Sequence, residues 1–163
     1  MKKVILNKCK KIKLVLTDVD GVLTDGGMYY TDKGDVMKKF FARDGMGVTL
    51  LRKKNIPTII ITKEKTKIVR EWAKGMNVEK VFDGIIQKEK ILKKICQKYK
   101  LESSEIAYIG DDVNDIELLK KVGLSCTPAD GTNEAKKEVD HICETKSGQG
   151  AFREMVDMII SVK

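Results

Sequence analysis

The sequence has 163 residues, of which 42% are hydrophobic, so it can bury the core of one globular domain and leaves little room for a second. Its formal net charge of +8, from 32 Lys and Arg residues against 24 Asp and Glu residues, favours anionic partners. Because the lysines are scattered and aromatic residues make up only 6%, we expect a solvated basic surface and no nucleic-acid partner.

Short apolar runs that end in polar residues recur along the chain, and such runs are typical of strands buried on both faces of a parallel sheet. Amphipathic helical patterns lie between them. The alternation of strand and helix predicts an α/β fold. The stronger strand candidates are residues 13–17, 58–62 and 106–110, and the weaker ones are residues 80–82, 124–126 and 141–143.

Two segments depart from this alternation. Residues 27–41 have β-prone ends around the turn sequence TDKG, which predicts a β-hairpin inserted after the first strand. Residues 148–150, Gly-Gln-Gly, predict a flexible loop before a final helix within residues 147–163. Asp44 and Asn114 precede helical patterns and are predicted to supply helix-capping or turn chemistry.

The four cysteines are far apart and contain no C-x-x-C pair, which indicates reduced thiols rather than a zinc site or a disulfide framework. We therefore expect a cytoplasmic protein. No apolar stretch approaches the roughly 20 residues that span a bilayer. The basic first residues lack the apolar region of a signal peptide, so we expect no membrane association.

The stretch LTDVDGVLTD, residues 16–25, contains three carboxylates directly after a predicted strand. A calcium loop, a magnesium-dependent catalytic site and an acidic turn would all be rich in such residues. The spacing excludes an EF-hand, because Gly21 follows directly after the second aspartate. No P-loop motif occurs either.

Polar side chains also follow the other strong strand candidates. Thr62 ends one of them, and Asp111 and Asp112 follow another. In an open parallel sheet, ligands bind beyond the carboxyl ends of the strands, so these groups are expected at one rim. Mg²⁺ needs few protein oxygens and leaves room for a substrate phosphate, which favours the magnesium interpretation.

This set of groups suits phosphoryl transfer. A carboxylate can attack phosphorus and form an aspartyl-phosphate. A second carboxyl two residues further on can protonate the leaving oxygen and then activate water. A lysine such as Lys88 and a hydroxyl can hold the oxygens of the transferring group.

The sequence resembles the haloacid dehalogenase superfamily of aspartate-nucleophile phosphatases. DVDGVLTD at residues 18–25, Thr62, Lys88 and GDDVND at residues 110–115 match the order and approximate spacing of its four motifs. With RDGMG, AYIGDDVND and GQGAFRE, the sequence is similar to the capless branch of 3-deoxy-D-manno-octulosonate 8-phosphate phosphatases and their relatives that act on nine-carbon acid 9-phosphates. The resemblance implies a Rossmann-like doubly wound parallel sheet without a separate cap domain.

The resemblance also implies the catalytic roles. Asp18 would be the nucleophile and a metal ligand, and Asp20 the acid/base that binds Mg²⁺ through its backbone carbonyl. Asp111 would be the third protein ligand of the metal. Thr62 and Lys88 would bind the phosphoryl group. Supporting positions would be held by Asp112 and Asp115, although Asp115 could equally be a helix cap, and substrate contacts are expected from Asp20, Phe41, Ala42, Arg43, Asp44, Gly45, Glu64 and Lys88.

In this family the inserted hairpins pack together in a homotetramer and a Gly-rich tail, here residues 148–153, reaches a neighbour's active site. The sequence departs from the family pattern at Lys63, which replaces a glycine, and at Trp72, which stands where relatives often have a basic residue. Glu64 resembles the nine-carbon group rather than the octulosonate group, whereas Arg43 to Gly45 favours the octulosonate group.

The resulting hypothesis is a Mg²⁺-dependent phosphatase that hydrolyses the terminal phosphate of 3-deoxy-D-manno-octulosonate 8-phosphate. One alternative within the enzyme class is a nine-carbon 9-phosphate as substrate. A non-catalytic oligomerisation module associated with a cytidylyltransferase and a nucleic-acid-binding protein are alternatives from other classes.

Overall fold

The computed structural model of the chain describes residues 3–163. Within that range, no helix has both the length and the apolar character needed to cross a membrane. The helices are α1 (Lys3–Lys11), α2 (Ala42–Lys53), α3 (Lys67–Met76), α4 (Glu89–Tyr99), α5 (Ile116–Leu119), α6 (Asn133–Lys137) and α7 (Ala151–Ile160), and the strands are β1 (Leu14–Thr17), β2 (Tyr29–Thr31), β3 (Gly34–Met37), β4 (Thr58–Ile61), β5 (Lys80–Phe82), β6 (Ile106–Ile109), β7 (Leu124–Thr127) and β8 (His141–Ile142).

Six strands form one parallel sheet in the order β5-β4-β1-β6-β7-β8. All six strands predicted from the sequence are therefore confirmed, including the three weaker candidates. The first strand lies in the middle, paired with β4 on one side and β6 on the other, which is the reversal of strand order that marks a ligand-binding crevice. The predicted α/β, doubly wound sheet is confirmed.

Helices cover both faces of the sheet because the strands are apolar on both sides. Along β1, Val15 belongs to the core cluster that contains Phe152 and Val156 of α7. Leu14 and Leu16 point the other way, into the cluster that contains Leu92 and Ile95 of α4. The central strand is thereby buried along its whole length, which gives a rigid support for the residues that follow it.

Strands β2 and β3 form the antiparallel hairpin that the sequence predicts. The turn ends at Gly34, whose φ of +100° lies in a region that L side chains rarely adopt. The hairpin is not part of the central sheet, and its large apolar side chains are exposed to solvent. These exposed residues are Met28, Tyr29, Tyr30, Val36 and Met37.

Some helix boundaries differ from the sequence predictions. Helix α1 was not predicted, although Ile5, Cys9 and Ile12 are buried at the spacing of one helical face. Helix α2 begins at Ala42, so Asp44 lies in its first turn and does not cap it. Near residue 114 the cap is Asp112, whose side chain accepts a hydrogen bond from the Val113 amide.

The cysteines are free thiols, and three of them are buried. The His141 ring lies 3.3 Å from a Glu154 carboxylate that also accepts hydrogen bonds from the Glu144 and Thr145 amides. Trp72, at a position where relatives often have a basic residue, is partly buried and stacks on Phe40, with 4.6 Å between the ring centroids.

Candidate active site

Three neighbouring strands deliver the predicted catalytic groups to one rim of the sheet. Asp18 directly follows β1, Thr62 directly follows β4, and Asp111 lies two residues beyond β6. The Asp18 amide donates to the Ile109 carbonyl at 3.0 Å, which extends the pairing of β1 with β6 as far as the site. The parallel register therefore brings together residues that are far apart in the sequence.

Lys88 lies at the centre of the site and is fully buried. Its ammonium is 2.7 Å from Asp18 Oδ2 and 2.6 Å from Asp115 Oδ1. Burial alone would lower the pKa of Lys88, but the two carboxylates outweigh it and raise the pKa above its ordinary value. Lys88 is therefore positively charged and lies next to the predicted nucleophile. A residue that binds a phosphoryl group needs both properties.

Asp115 accepts four hydrogen bonds and is also fully buried. Besides Lys88, the Tyr108 hydroxyl donates to Oδ1 at 2.6 Å. The backbone amides of Asp111 and Asp112 donate to Oδ2 at 2.9 and 3.2 Å. Asp115 thus orders the loop that carries Asp111 and supports Lys88. This role goes beyond the helix cap considered from the sequence.

The carboxylates of the site are crowded. Oxygens of Asp18, Asp111 and Asp115 all lie within 4.8 Å of one another. Burial, with further contributions from Asp18 and Asp115, raises the pKa of Asp111 to about 8. Burial also raises the pKa of Asp18, where Lys88 opposes the rise and Asp115 adds to it.

A divalent cation would relieve this repulsion, and an all-oxygen ligand set suits Mg²⁺. The loop after β1 and the loop after β6 lie close together at Gly21, which has a φ of +81°. A Cβ added to Gly21 would lie 2.0 Å from Asp111 Oδ2. The site thus has room for the Asp111 carboxylate only because residue 21 has no side chain. The residues present fit a divalent cation, which Asp18 and Asp111 would hold.

Asp20 lines the same cavity as Asp18 and Asp111, and it contacts a lysine that is not among the predicted site residues. This residue is Lys38, which directly follows β3. Its ammonium lies 2.7 Å from Asp20 Oδ1 and 2.9 Å from Asp35 Oδ2. These two carboxylates outweigh the effect of burial, and the pKa of Lys38 is raised. In the sequence Lys38 is one of many lysines in a polar segment, so no local signal distinguishes it.

A cavity of about 330 Å³ opens at this rim. That volume is within the range of small-molecule sites. Glu64 lines it, as predicted for a substrate-binding residue, and Lys63 lies beside it on the same loop. The complete lining is Asp18, Asp20, Gly26, Met28, Thr62, Lys63, Glu64, Asp111, Asp112, Val113 and Asn114.

The predicted pocket residues 41–45 do not line this cavity. Asp44 is fully buried, and its Oδ1 accepts a hydrogen bond from the Arg153 amide at the start of α7. Burial raises the pKa of Asp44 to about 6, and Arg153 opposes that rise. The prediction that Asp44 binds substrate is therefore wrong for this cavity, and Gly45 is buried with it. Phe41, Ala42 and Arg43 are at least partly exposed, so their substrate contacts stay a prediction.

Residues 148–153 are held within the same chain. The Gly148 amide donates to the Val22 carbonyl at 3.0 Å, and a Cβ at Gly148 would lie 2.5 Å from the Asp25 amide nitrogen. From residue 151 onward the chain is helical and packs against α2. Its glycines allow close contact with the loop that follows Asp18. Contact of this segment with a neighbour's active site stays a prediction.

The model of the haloacid dehalogenase-like hydrolase family matches residues 49–155, which is more than half of the chain. The 3-deoxy-D-manno-octulosonate 8-phosphate phosphatase of Haemophilus influenzae is 36% identical over 156 residues, covering 96% of this chain and 87% of that protein. The enzyme of the same name from Salmonella typhi is 32% identical, with coverage of 96% and 83%.

Solved structures agree with the sequence comparison. A cobalt-bound deoxy-D-mannose-octulosonate 8-phosphate phosphatase from Haemophilus influenzae has a TM-score of 0.92, 36% identity, and coverage of 95% of this chain and 91% of that one. The phosphatase from Moraxella catarrhalis, solved with a magnesium ion, a phosphate ion and a KDO molecule, has a TM-score of 0.96, 31% identity, and coverage of 100% and 94%.

The fold, the site and the comparisons together define an enzyme class, the hydrolases of phosphate monoesters. The chain belongs to the haloacid dehalogenase-like hydrolases and, within them, to the family of 3-deoxy-D-manno-octulosonate 8-phosphate phosphatases.

Proposed function

We propose that this protein is a Mg²⁺-dependent phosphatase that hydrolyses the terminal phosphate of 3-deoxy-D-manno-octulosonate 8-phosphate. The observation that carries the proposal is the buried ion pair between Lys88 and Asp18, beside Asp111 at the same rim. A cation, a carboxylate and a pair of possible metal ligands at one rim of the sheet are the parts that phosphoryl transfer requires. The relatives that match over nearly the whole chain carry the octulosonate name, which favours the eight-carbon substrate over the nine-carbon alternative.

Asp18 attacks the phosphorus atom, and the bond from phosphorus to the sugar oxygen breaks as an aspartyl-phosphate forms. Asp20 donates a proton to the departing oxygen and then takes one from the water that hydrolyses the aspartyl-phosphate. Lys88 and Thr62 hold the phosphoryl oxygens during both steps. A bound Mg²⁺, held by Asp18, Asp111 and the Asp20 carbonyl, would neutralise charge on the phosphoryl group.

Lys63 gives the cavity a cation at its outer edge. Apart from it, every charged residue that lines the cavity is acidic: Asp18, Asp20, Glu64, Asp111 and Asp112. Within residues 3–163, the Lys63 side chain forms no ion pair, and it is exposed. A substrate that carries both a phosphate and a carboxylate therefore has a second binding group available at Lys63, while Glu64 can accept hydrogen bonds from sugar hydroxyls.

The test is phosphate release from 3-deoxy-D-manno-octulosonate 8-phosphate with and without Mg²⁺, with nine-carbon acid 9-phosphates as competing substrates. We expect turnover that requires Mg²⁺, prefers the eight-carbon substrate and disappears in Asp18→Asn. The matched control is Asp25→Asn, because Asp25 belongs to the same acidic stretch but is exposed and pairs with Lys39. No phosphate release from any sugar phosphate would overturn the proposal and favour a non-catalytic module.

We propose in addition that the chain forms one catalytic domain without a cap and works as a homotetramer in the cytoplasm. The exposed apolar side chains of the hairpin support assembly through that hairpin. Four free cysteines support a reducing compartment.

A further inference from the structure

Lys38 connects the hairpin to the active site. Its side chain is 0% exposed, although a lysine at the base of a surface hairpin would ordinarily extend into solvent. The ammonium is held between Asp20 Oδ1, at 2.7 Å, and Asp35 Oδ2, at 2.9 Å. Asp35 lies on β3, whereas Asp20 lies on the loop after β1. Lys38 therefore holds the hairpin and the catalytic loop together through charged hydrogen bonds, which are the stronger kind.

The two oxygens of Asp20 have different surroundings. Oδ1 accepts a hydrogen bond from Lys38 and a longer one, 3.3 Å, from the Thr24 hydroxyl. Oδ2 accepts no hydrogen bond from any residue between positions 3 and 163. Two donors on one oxygen fix the rotation of the carboxylate. The other oxygen is left without a protein partner, and Asp20 is one of the residues that line the cavity.

We propose that Lys38 is the positioning residue of the acid/base Asp20: it holds Oδ1 so that Oδ2 faces the reacting phosphoryl group and carries the proton. The inference rests on the proposed phosphatase function. When the bond from phosphorus to the leaving oxygen breaks, the proton moves from Asp20 Oδ2 to that oxygen. When water attacks the aspartyl-phosphate, one of its protons returns to Oδ2. Lys38 touches neither the substrate nor the reacting atoms and acts only through Asp20.

This role makes a prediction that a purely structural lysine does not make. An alkyl phosphate has a poor leaving group that needs a proton, whereas p-nitrophenyl phosphate releases a stable phenolate without one. The ratio kcat/KM reports the steps up to formation of the aspartyl-phosphate. Loss of Lys38 should therefore reduce kcat/KM for the alkyl ester much more than for the aryl ester.

The experiment measures kcat/KM of the wild-type protein, Lys38→Met and Lys39→Met in the presence of Mg²⁺. The substrates are an alkyl phosphate and p-nitrophenyl phosphate. Lys39 is the matched control, because it is the next lysine in the chain and its only ion pair in residues 3–163 is with Asp25 at the surface. We expect Lys38→Met to lose at least about tenfold in kcat/KM for the alkyl phosphate and less than about threefold for the aryl phosphate. A positioned general acid contributes roughly 10²-fold to 10⁴-fold, and the expected loss is part of that effect. Lys39→Met should match the wild type with both.

Circular dichroism and thermal melting show whether each variant is folded. If Lys38→Met does not fold, Asp35→Asn is used instead, because it removes the second carboxylate that holds the Lys38 ammonium. Its loss in kcat/KM should again be larger for the alkyl ester than for the aryl ester, but by a smaller factor. Equal losses for the two esters, or none, in a folded variant would overturn the role of Lys38 and leave the phosphatase proposal intact. A wild-type protein inactive on both esters would overturn the phosphatase proposal itself, and the role of Lys38 with it.

Discussion

Lys88 and Asp115 form an ion pair in which both side chains are fully buried, with 2.6 Å between Nζ and Oδ1. Burying two charges is costly unless each has further partners. Here Lys88 also pairs with Asp18, and Asp115 also accepts from the Tyr108 hydroxyl and two backbone amides. The pair thereby joins the loop of Asp111 to the predicted nucleophile.

Asp115→Asn should weaken metal binding. The amide would turn its NH2 group either to Lys88 and Tyr108 or to the backbone amides of Asp111 and Asp112. All of these groups are donors, so in both orientations the loop of Asp111 would shift. Partners that orient metal ligands are typically worth about 10-fold to 100-fold in metal affinity or activity, and we expect the Mg²⁺ concentration for half-maximal activity to rise by that factor. A Mg²⁺ titration of phosphate release measures it. The control is Asp83→Asn, which changes an ion pair with Arg70. An unchanged Mg²⁺ requirement in Asp115→Asn would contradict the role of Asp115 in ordering the loop of Asp111.

Gly21→Ala should also act on the metal site, by a steric route. The added Cβ would lie 2.0 Å from Asp111 Oδ2, so the carboxylate would have to move. We expect activity to fall at least about tenfold, because a displacement of about 1 Å can cost far more than that. Gly34→Ala is the matched control: its φ of +100° is strained in the same way, but apart from its chain neighbours no described residue has an atom within 4 Å of the added Cβ. Equal effects of the two substitutions would mean that backbone strain alone is responsible.

The stability of the protein should fall as the pH rises from about 4 to about 6 because of Asp44. Burial raises the pKa of Asp44 to about 6 from 3.8, so in this window the folded protein keeps a proton that the unfolded chain releases. The free energy of unfolding therefore decreases through the window, by an amount on the order of 3 kcal/mol from this group. Asp44→Asn removes the titration, and its loss of stability between pH 4 and pH 7 should be smaller than that of the wild type.

Urea unfolding at the two pH values measures this difference. Asp157→Asn is the control, because Asp157 is an exposed carboxylate of α7 that pairs with Arg153. The same pH dependence in the wild type and Asp44→Asn would show that Asp44 is not the group responsible. The substrate KM should not change in Asp44→Asn, since the residue does not line the cavity.

Tyr30→Glu should disrupt assembly. Tyr30 is 65% exposed on the hairpin, and a charge in an apolar contact is costly to bury. We expect the mass in solution, measured by light scattering, to fall from that of a tetramer toward that of one chain. Val4→Glu is the control, since Val4 is also 65% exposed but lies on α1. A wild-type protein that is monomeric at all concentrations would contradict the proposed tetramer.

The sequence alone determined the sheet, the hairpin and the chemical groups at the strand ends. Apolar runs and turn residues are local signals, since a strand buried on both faces must be apolar along its length. The parallel connection then requires that the polar residues after β1, β4 and β6 meet at one rim. Asp18, Thr62 and Asp111 could therefore be found by reading along the chain.

Only the tertiary structure decided which polar residues are buried and what they contact. Lys38 is 18 residues from Asp20, Lys88 is 27 from Asp115, and Arg153 is 109 from Asp44. No local pattern distinguishes such residues from solvated neighbours, because burial results from the packing of separate segments against one another. The packing therefore buries Asp44, which the sequence predicts to line the substrate pocket. It also places Lys38, which the sequence predicts to be a surface lysine, in contact with Asp20.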